Sequence, residues 1–171
     1  FYIFTIYFFR DPLRRIPFDT SAILSPADGR VVSINTVNDN DIGESSQVIS
    51  IFLSIFDVHA FRYPYDGKIK SVNNRNGSCI AAFNHNASEV NEQIVTVIKS
   101  NSFTFQIKQI AGLVARRIFC YAEPNEVVQK GDRIGFIRFG SRADIVVSSE
   151  IKICVNVGEK VKAGESVIAR I

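Results

Sequence analysis

Residues 126–134, Glu-Val-Val-Gln-Lys-Gly-Asp-Arg-Ile, return near the C-terminal end as residues 159–167, Glu-Lys-Val-Lys-Ala-Gly-Glu-Ser-Val. Each copy carries a glycine, Gly131 or Gly164, between apolar positions: Val128 and Ile134 in the first, Val161 and Val167 in the second. Glycine admits the tight bend between two short strands, so each copy predicts a turn and a short strand with those apolar side chains pointing inward. Around this pair the chain is punctuated in the same way. Apolar runs of four to eight residues rich in Val, Ile and Phe alternate with Gly, Asn and Asp clusters: residues 31–34, 48–56, 94–98 and 103–110, then 112–122, 133–139, 144–147, 151–157 and 166–171. These read as strands and leave almost no room for helix in the second half. Residues 37–46 are polar and read as an exposed loop, and Asn76-Gly77 suits a tight hairpin turn.

The expected fold class is therefore mainly β, a barrel-sandwich-like β domain with little helix. Turn-and-strand repeats of this kind recur in biotinyl and lipoyl carrier domains. A carrier, however, needs a modifiable Lys in a Met-Lys-Met or Asp-Lys-Ala setting on an exposed hairpin, and no such tripeptide occurs here.

A chain of 171 residues with 46% hydrophobic and 22% charged residues suits one domain with a real core. A net charge of +3, from 20 basic and 17 acidic residues, is too small to point to nucleic acid. Three cysteines, Cys79, Cys120 and Cys154, lie far apart with only two histidines beside them, which argues against a disulfide framework or a metal site. They read as small buried hydrophobes.

The N-terminus has a different composition. All of Phe1 to Phe9 except Thr5 are apolar or aromatic, and Arg10, Arg14 and Arg15 follow. The run is too short to span a bilayer, so it is the tail of a longer span or an interfacial helix whose arginines meet anionic headgroups, each worth about 1 kcal/mol. A first core strand is the alternative. Residues 1–18 are thus expected to be a membrane-associating segment, possible helix included, and residues 19–171 the folded domain.

Four segments carry chemistry: Phe9-Arg-Asp-Pro-Leu-Arg-Arg-Ile-Pro17, Leu24-Ser-Pro-Ala-Asp-Gly-Arg30, Ser54-Ile-Phe-Asp-Val-His-Ala-Phe-Arg-Tyr-Pro64 and Arg133-Ile-Gly-Phe-Ile-Arg-Phe-Gly-Ser-Arg-Ala-Asp144. With Ile110-Ala-Gly-Leu-Val-Ala-Arg-Arg117 between the last two, and in this order, they resemble the phosphatidylserine decarboxylase family in its short, archaetidylserine decarboxylase-like form. The resemblance runs nearly the whole length of the chain. It implies a proenzyme that cuts itself at Gly140-Ser141 into residues 1–140 and 141–171, which stay together. Ser141 is converted to a covalent pyruvoyl group, whose carbonyl accepts the electrons released as carbon dioxide leaves.

The residue types fit that chemistry. A serine hydroxyl can attack the carbonyl before it, and β-elimination from the resulting ester leads toward pyruvoyl. Gly140 permits the close approach. Gly77-Ser78 is the competing dipeptide, most simply a hairpin tip. A hydroxyl needs a base, and of the two histidines His85 sits in a polar loop-like stretch. His59 follows Asp57 by two, so alternation on a strand would place both on one face. The resemblance assigns the Asp of the processing triad to Asp28, orienting the imidazole of His59. Longer family members have a second His where this chain has Arg62, so His59 is expected to serve both processing and turnover, with a pKa near 6.5 suited to proton donation.

Arg116, Arg117 or Arg142 are candidates for the substrate phosphate. No metal is required. The partners implied are a phospholipid substrate, the membrane surface and the cleaved small chain, with a homo-oligomer possible and nucleic acid excluded. The location implied is the cytoplasmic face of the cell membrane. Two other functions stay open: the same reaction on an ether-lipid serine, and a non-enzymatic barrel-sandwich module.

Overall fold

The computed structural model describes residues 2–77, 91–112, 117–137 and 141–171. The chain opens on one short helix, α1 (Tyr2–Phe8), and an irregular strap reaches to Phe18. Strands follow: β1 (Ala22–Leu24), β2 (Gly29–Asp39), β3 (Gly43–Leu53), β4 (Ala60–Arg62), β5 (Gly67–Arg75), β6 (Gln93–Lys99), β7 (Thr104–Ile110), β8 (Ile118–Cys120), β9 (Val127–Val128), β10 (Arg133–Ile137), β11 (Ser141–Val147), β12 (Lys152–Ile153), β13 (Lys160–Val161) and β14 (Val167–Arg170).

They form an eight-stranded sheet in the order β13-β2-β3-β11-β7-β6-β5-β9 and two three-stranded sheets, β1-β14-β12 and β4-β10-β8. The large sheet curls into a half-barrel. Lys70 on β5 reaches Asp41 at the tip of the β2–β3 hairpin at 3.1 Å, across β11, β7 and β6 in the strand order. Strand alternation sends Ile49, Ile51, Ile107, Ala143, Ile145 and Val147 to one face. There they pack with Ile23, Phe61, Ile134, Ile137 and Ile168 from the small sheets into one core. β11 lies between β3 and β7, and all seven of its residues are buried. Residues 141–171 thus supply the central strand and, through β12, β13 and β14, strands in two sheets, so they are woven into the fold whether or not the backbone is continuous at their start.

Several expectations are corrected. Residues 37–46 are not a loop: β2 runs to Asp39 and β3 starts at Gly43. The strand expected over 48–56 ends at Leu53, because the Asp57 carboxylate closes a turn back onto Ser54. Only Lys152–Ile153 of 151–157 is strand, the rest being bent by a turn in which Glu159 accepts from the Asn156 backbone N–H at 2.9 Å. Of 112–122, Ile118–Cys120 is strand, and residues 113–116 lie outside the described residues. The start of the chain is helix, not a first core strand. Cys154 is exposed and Cys120 half-buried, while Cys79 lies outside the described residues.

The internal repeat does form two turn-and-strand units. Val128, Val161 and Ile134 are buried, whereas Val167 is half-buried and its neighbour Ile168 takes the core position. Gly131 and Gly164 both have positive φ, 92° and 71°. The two glycines seat the strap, since a Cβ on Gly131 would lie 2.5 Å from Ile16 Cδ1 and one on Gly164 3.1 Å from the same atom.

Candidate active site

Two strand registers bring the site together. Ser141 at the start of β11 pairs with Leu53 at the end of β3, and Phe136 on β10 pairs with Ala60 on β4. The stretch 54–59 runs between these two pairings, so His59 lies at one end of it and Leu53, the partner of Ser141, at the other. Residues 138–140, Gly140 among them, lie outside the described residues.

Asp57 and His59 do not sit side by side on a strand, as the sequence pattern predicts. They occupy a turn. The Asp57 carboxylate accepts from the Ser54 backbone N–H at 2.8 Å and from Ser54 Oγ at 2.6 Å. That turn presents the Asp57 carbonyl oxygen to His59 Nδ1 at 2.9 Å. A carbonyl only accepts, so Nδ1 carries the proton and Nε2 has a free lone pair. His59 is 1% exposed, and the Phe8 ring covers it at 4.2 Å between centroids. Burial lowers its pKa below the ordinary 6.5, offset in part by the Asp57 carbonyl and charge. The imidazole is accordingly a neutral base at pH 7.

Among the described residues, three buried polar groups have no hydrogen-bond partner in or beside these elements: His59 Nε2, Ser141 Oγ and both ends of the Gln109 carboxamide. Gln109 on β7 is fully buried and pairs with Ala143 on β11. Ser141 lies two residues before Ala143, on the same face of the sheet, which makes it the diagonal neighbour of Gln109. Such positions are about 7–8 Å apart, within reach of a long side chain. Leaving a buried donor or acceptor unpaired costs about 1–3 kcal/mol, so each of these groups carries a cost that folding does not repay.

In front of His59 is a pocket of about 210 Å³ lined by Phe8, Phe9, Arg10, Asp11, Ala60, Arg133 and Phe136. Arg10 donates to the carbonyls of Tyr7 at 2.8 Å and Phe56 at 2.7 Å and lies over the Tyr7 ring. Asp11 is gripped from both sides, by Arg62 Nη2 at 2.5 Å and by Arg133 Nη2. Phe136 stacks on Phe119 at 4.6 Å. The lining therefore combines an aromatic wall, a base and a guanidinium–carboxylate cluster.

A family model for phosphatidylserine decarboxylase matches residues 1–169. The chain belongs to the phosphatidylserine decarboxylase family. It is 42% identical over 168 residues to a protein of Chlorobium limicola named phosphatidylserine decarboxylase proenzyme, covering 98% of this chain and 79% of the relative. Proteins of the same name from Desulfotalea psychrophila, 42% identical over 170 residues, and Burkholderia pseudomallei, 41% identical over 170, align over 98% and 99% of this chain and 79% of their own length.

Within this decarboxylase-family fold the other expected site residues are dispersed. Asp28 is not bonded to the His59 ring. Its carboxylate takes Arg14 Nη2 at 2.9 Å and the Ala163 backbone N–H at 2.8 Å, tying the strap to the C-terminal segment. Arg142 is 3% exposed and paired with Asp144 at 2.8 Å and Ser50 Oγ at 2.6 Å, on the sheet face opposite to Ser141. It is part of a buried ion pair and does not line the pocket. Arg117 is exposed next to β8 and also absent from the lining. Gly140, Arg116, Ser78 and His85 fall outside the described residues.

Sequence reasoning missed Gln109, Asp11 and Arg133, gave Arg62 no role and set Arg10 against lipid headgroups, where the structure puts it at the pocket. Their only signal was membership of the matching segments, Gln109 standing one residue before the Ile110 block.

Proposed function

We propose that this chain is a phosphatidylserine decarboxylase, converting phosphatidylserine to phosphatidylethanolamine and carbon dioxide after cutting its own backbone between Gly140 and Ser141. The observation that carries the reading is the pair of buried, unbonded atoms, Ser141 Oγ and His59 Nε2, one beside each end of the stretch 54–59. His59 Nε2 takes the hydroxyl proton, and Oγ attacks the carbonyl carbon of residue 140. The C–N bond breaks, the proton passes to the nitrogen, and an ester joins residue 140 to the Ser141 side chain. Gln109 supplies the amide N–H that steadies the carbonyl oxygen as it gains charge. Removal of the Ser141 Cα proton then expels the carboxylate of residue 140, leaving dehydroalanine, and water releases ammonia.

The pyruvoyl group that results supplies a carbonyl able to hold the electron pair left by carbon dioxide. Ser141 fits its position: the residue is fully buried, and its free oxygen is not engaged in holding the fold. In turnover His59, which lines the pocket, takes at Nε2 the proton that the substrate ammonium sheds and returns it to the carbon that has lost carbon dioxide. Asp57, through its carbonyl, orients His59 in both phases, and Asp28 anchors the strap and the C-terminal segment.

A lipid substrate gives a reason for the surface beside the pocket. Tyr2, Ile6, Leu13 and Phe56 are 85%, 76%, 100% and 65% exposed. The turn holding Phe56 is joined to α1 by Tyr7 Oη, which donates to the Phe56 carbonyl at 3.3 Å. Among the described residues no helix is long and apolar enough to cross a membrane. We read this edge as lying on the cytoplasmic face of the cell membrane, with the headgroup entering the pocket. The shared name of the relatives favours the diester lipid over an ether-lipid serine and does not favour a carrier module.

Mass spectrometry of the purified protein tests the reading. One fragment ending at Gly140 and a second beginning at residue 141 with a blocked terminus are expected. A single uncut chain would refute it.

A further inference from the structure

The strap and the arginines beneath it are used by no step above. Asp11 sits at the mouth of the His59 pocket with its two carboxylate oxygens on two guanidinium groups, Arg62 and Arg133. Arg62 is fixed from behind, donating from Nη1 to the Gly131 carbonyl at 2.8 Å, and its Nε is buried with no partner. Arg133 is nearly half exposed, so it is reachable from solvent. Two arginines thus converge on one carboxylate, with a donor left over. With Asp11 in place the pocket holds about 210 Å³, below the roughly 300–1,000 Å³ usual for small-molecule sites.

We propose that Arg62 and Arg133 form the cradle for the phosphodiester of the substrate headgroup, and that Asp11 is an internal surrogate which occupies this cradle until the headgroup displaces it. A phosphodiester carries the same single negative charge as Asp11 and has more acceptor oxygens, enough to use the unpaired Nε of Arg62. The substrate also has a carboxylate, but that group must leave as neutral carbon dioxide. A guanidinium pair closed on it would stabilise the ground state more than the transition state. The phosphodiester keeps its charge throughout, so holding it positions the headgroup without opposing the reaction. The Asp11 side chain is suited to yield. The strap has no regular secondary structure, and its other contacts, Arg10 on the Phe56 carbonyl, the Arg14–Asp28 pair, the Arg15 N–H on Glu165 and Ile16 on the two glycines, hold it without Asp11, whose side chain can turn away alone. The inference rests on the decarboxylase reading for the identity of the headgroup.

The test uses the full chain carrying Ser141→Ala, so binding is read on uncut protein and does not depend on self-cleavage. Affinities for glycerophosphoserine, glycerophosphocholine and L-serine are measured by NMR titration. Asp11→Asn is expected to tighten both phosphodiesters about tenfold and leave L-serine unchanged, and adding Arg133→Gln is expected to abolish the gain. Arg133→Lys, which keeps the charge, is expected to retain part of it. If Asp11→Asn leaves phosphodiester affinity unchanged or weaker, Asp11 is only an anchor and the proposal falls. An equal gain for L-serine would overturn it too, by showing that the cradle reads a carboxylate. If the chain with Ser141 intact stays uncut while the Ser141→Ala series shows these binding changes, the self-cleavage reading falls and the cradle stands.

Discussion

Replacing Gln109 by leucine should make the protein more stable and worse at cutting itself. Both polar ends of the carboxamide are buried without partners, and the side chain is fully buried against the core face of the central strands. Leucine has nearly the same bulk and no polar atoms, so the substitution removes a desolvation penalty of about 1–3 kcal/mol. For a chain of this length each kcal/mol moves the melting temperature by about 2–4 °C, so a rise of about 2–12 °C is expected. The comparison belongs in the Ser141→Ala background, where both proteins stay in one piece. Self-cleavage is then followed with Ser141 restored, by gel electrophoresis of freshly translated chain. Loss of one donor to a developing oxyanion typically slows a reaction about 10²–10³-fold, or ~2.7–4 kcal/mol. A variant that melts lower and cuts at the parental rate would refute the reasoning, because Gln109 would then be a structural residue whose polar atoms are satisfied in solution.

Ser141→Ala should remain uncut and inactive while Ser78→Ala processes normally; the reverse pattern, read by mass, would move the cleavage site. Because burial holds the His59 pKa below 6.5 and the neutral form is the base, the rate of self-cleavage should rise to a plateau through a midpoint below 6.5 and fall only on the acid side. A midpoint above 6.5 in the pH profile would contradict this. Asp57→Asn keeps an oxygen for the Ser54 N–H but loses the charged acceptor for Ser54 Oγ, so the plateau should drop about tenfold, the ~1.5 kcal/mol of one charge-assisted bond. The Asp57 charge raises the His59 pKa, so its removal should carry the acid limb to still lower pH; movement to higher pH would show that Asp57 acts in another way.

Local pattern made much of this protein readable in advance. The apolar runs at residues 94–98 and 103–110 marked β6 and β7, and the matched glycines of 126–134 and 159–167 marked two turn-and-strand units, because composition and turn chemistry are properties of neighbouring residues. The segments that match the decarboxylase family picked out His59 and Ser141 as residue types in order. Pairing was not readable. Asp57 and His59 look like a strand pair until a side chain from the same segment folds back on Ser54 and turns the strand off. Arg142 resembles an available cation until Asp144 and Ser50, brought alongside by the β3–β11 register, take it up.

Residue order settles which groups exist and which elements form: a hydroxyl after a glycine, an imidazole, short strands between glycine turns. The tertiary structure alone decided which of these meet. Gln109 and Ser141 are 32 residues apart in the chain and diagonal neighbours across β7 and β11, and Asp11 reaches Arg62 and Arg133 from a strap with no regular structure. Local pattern says nothing of such contacts, because they depend on which strand edges pair and how far a sheet curls, and both are set by the burial of the whole core.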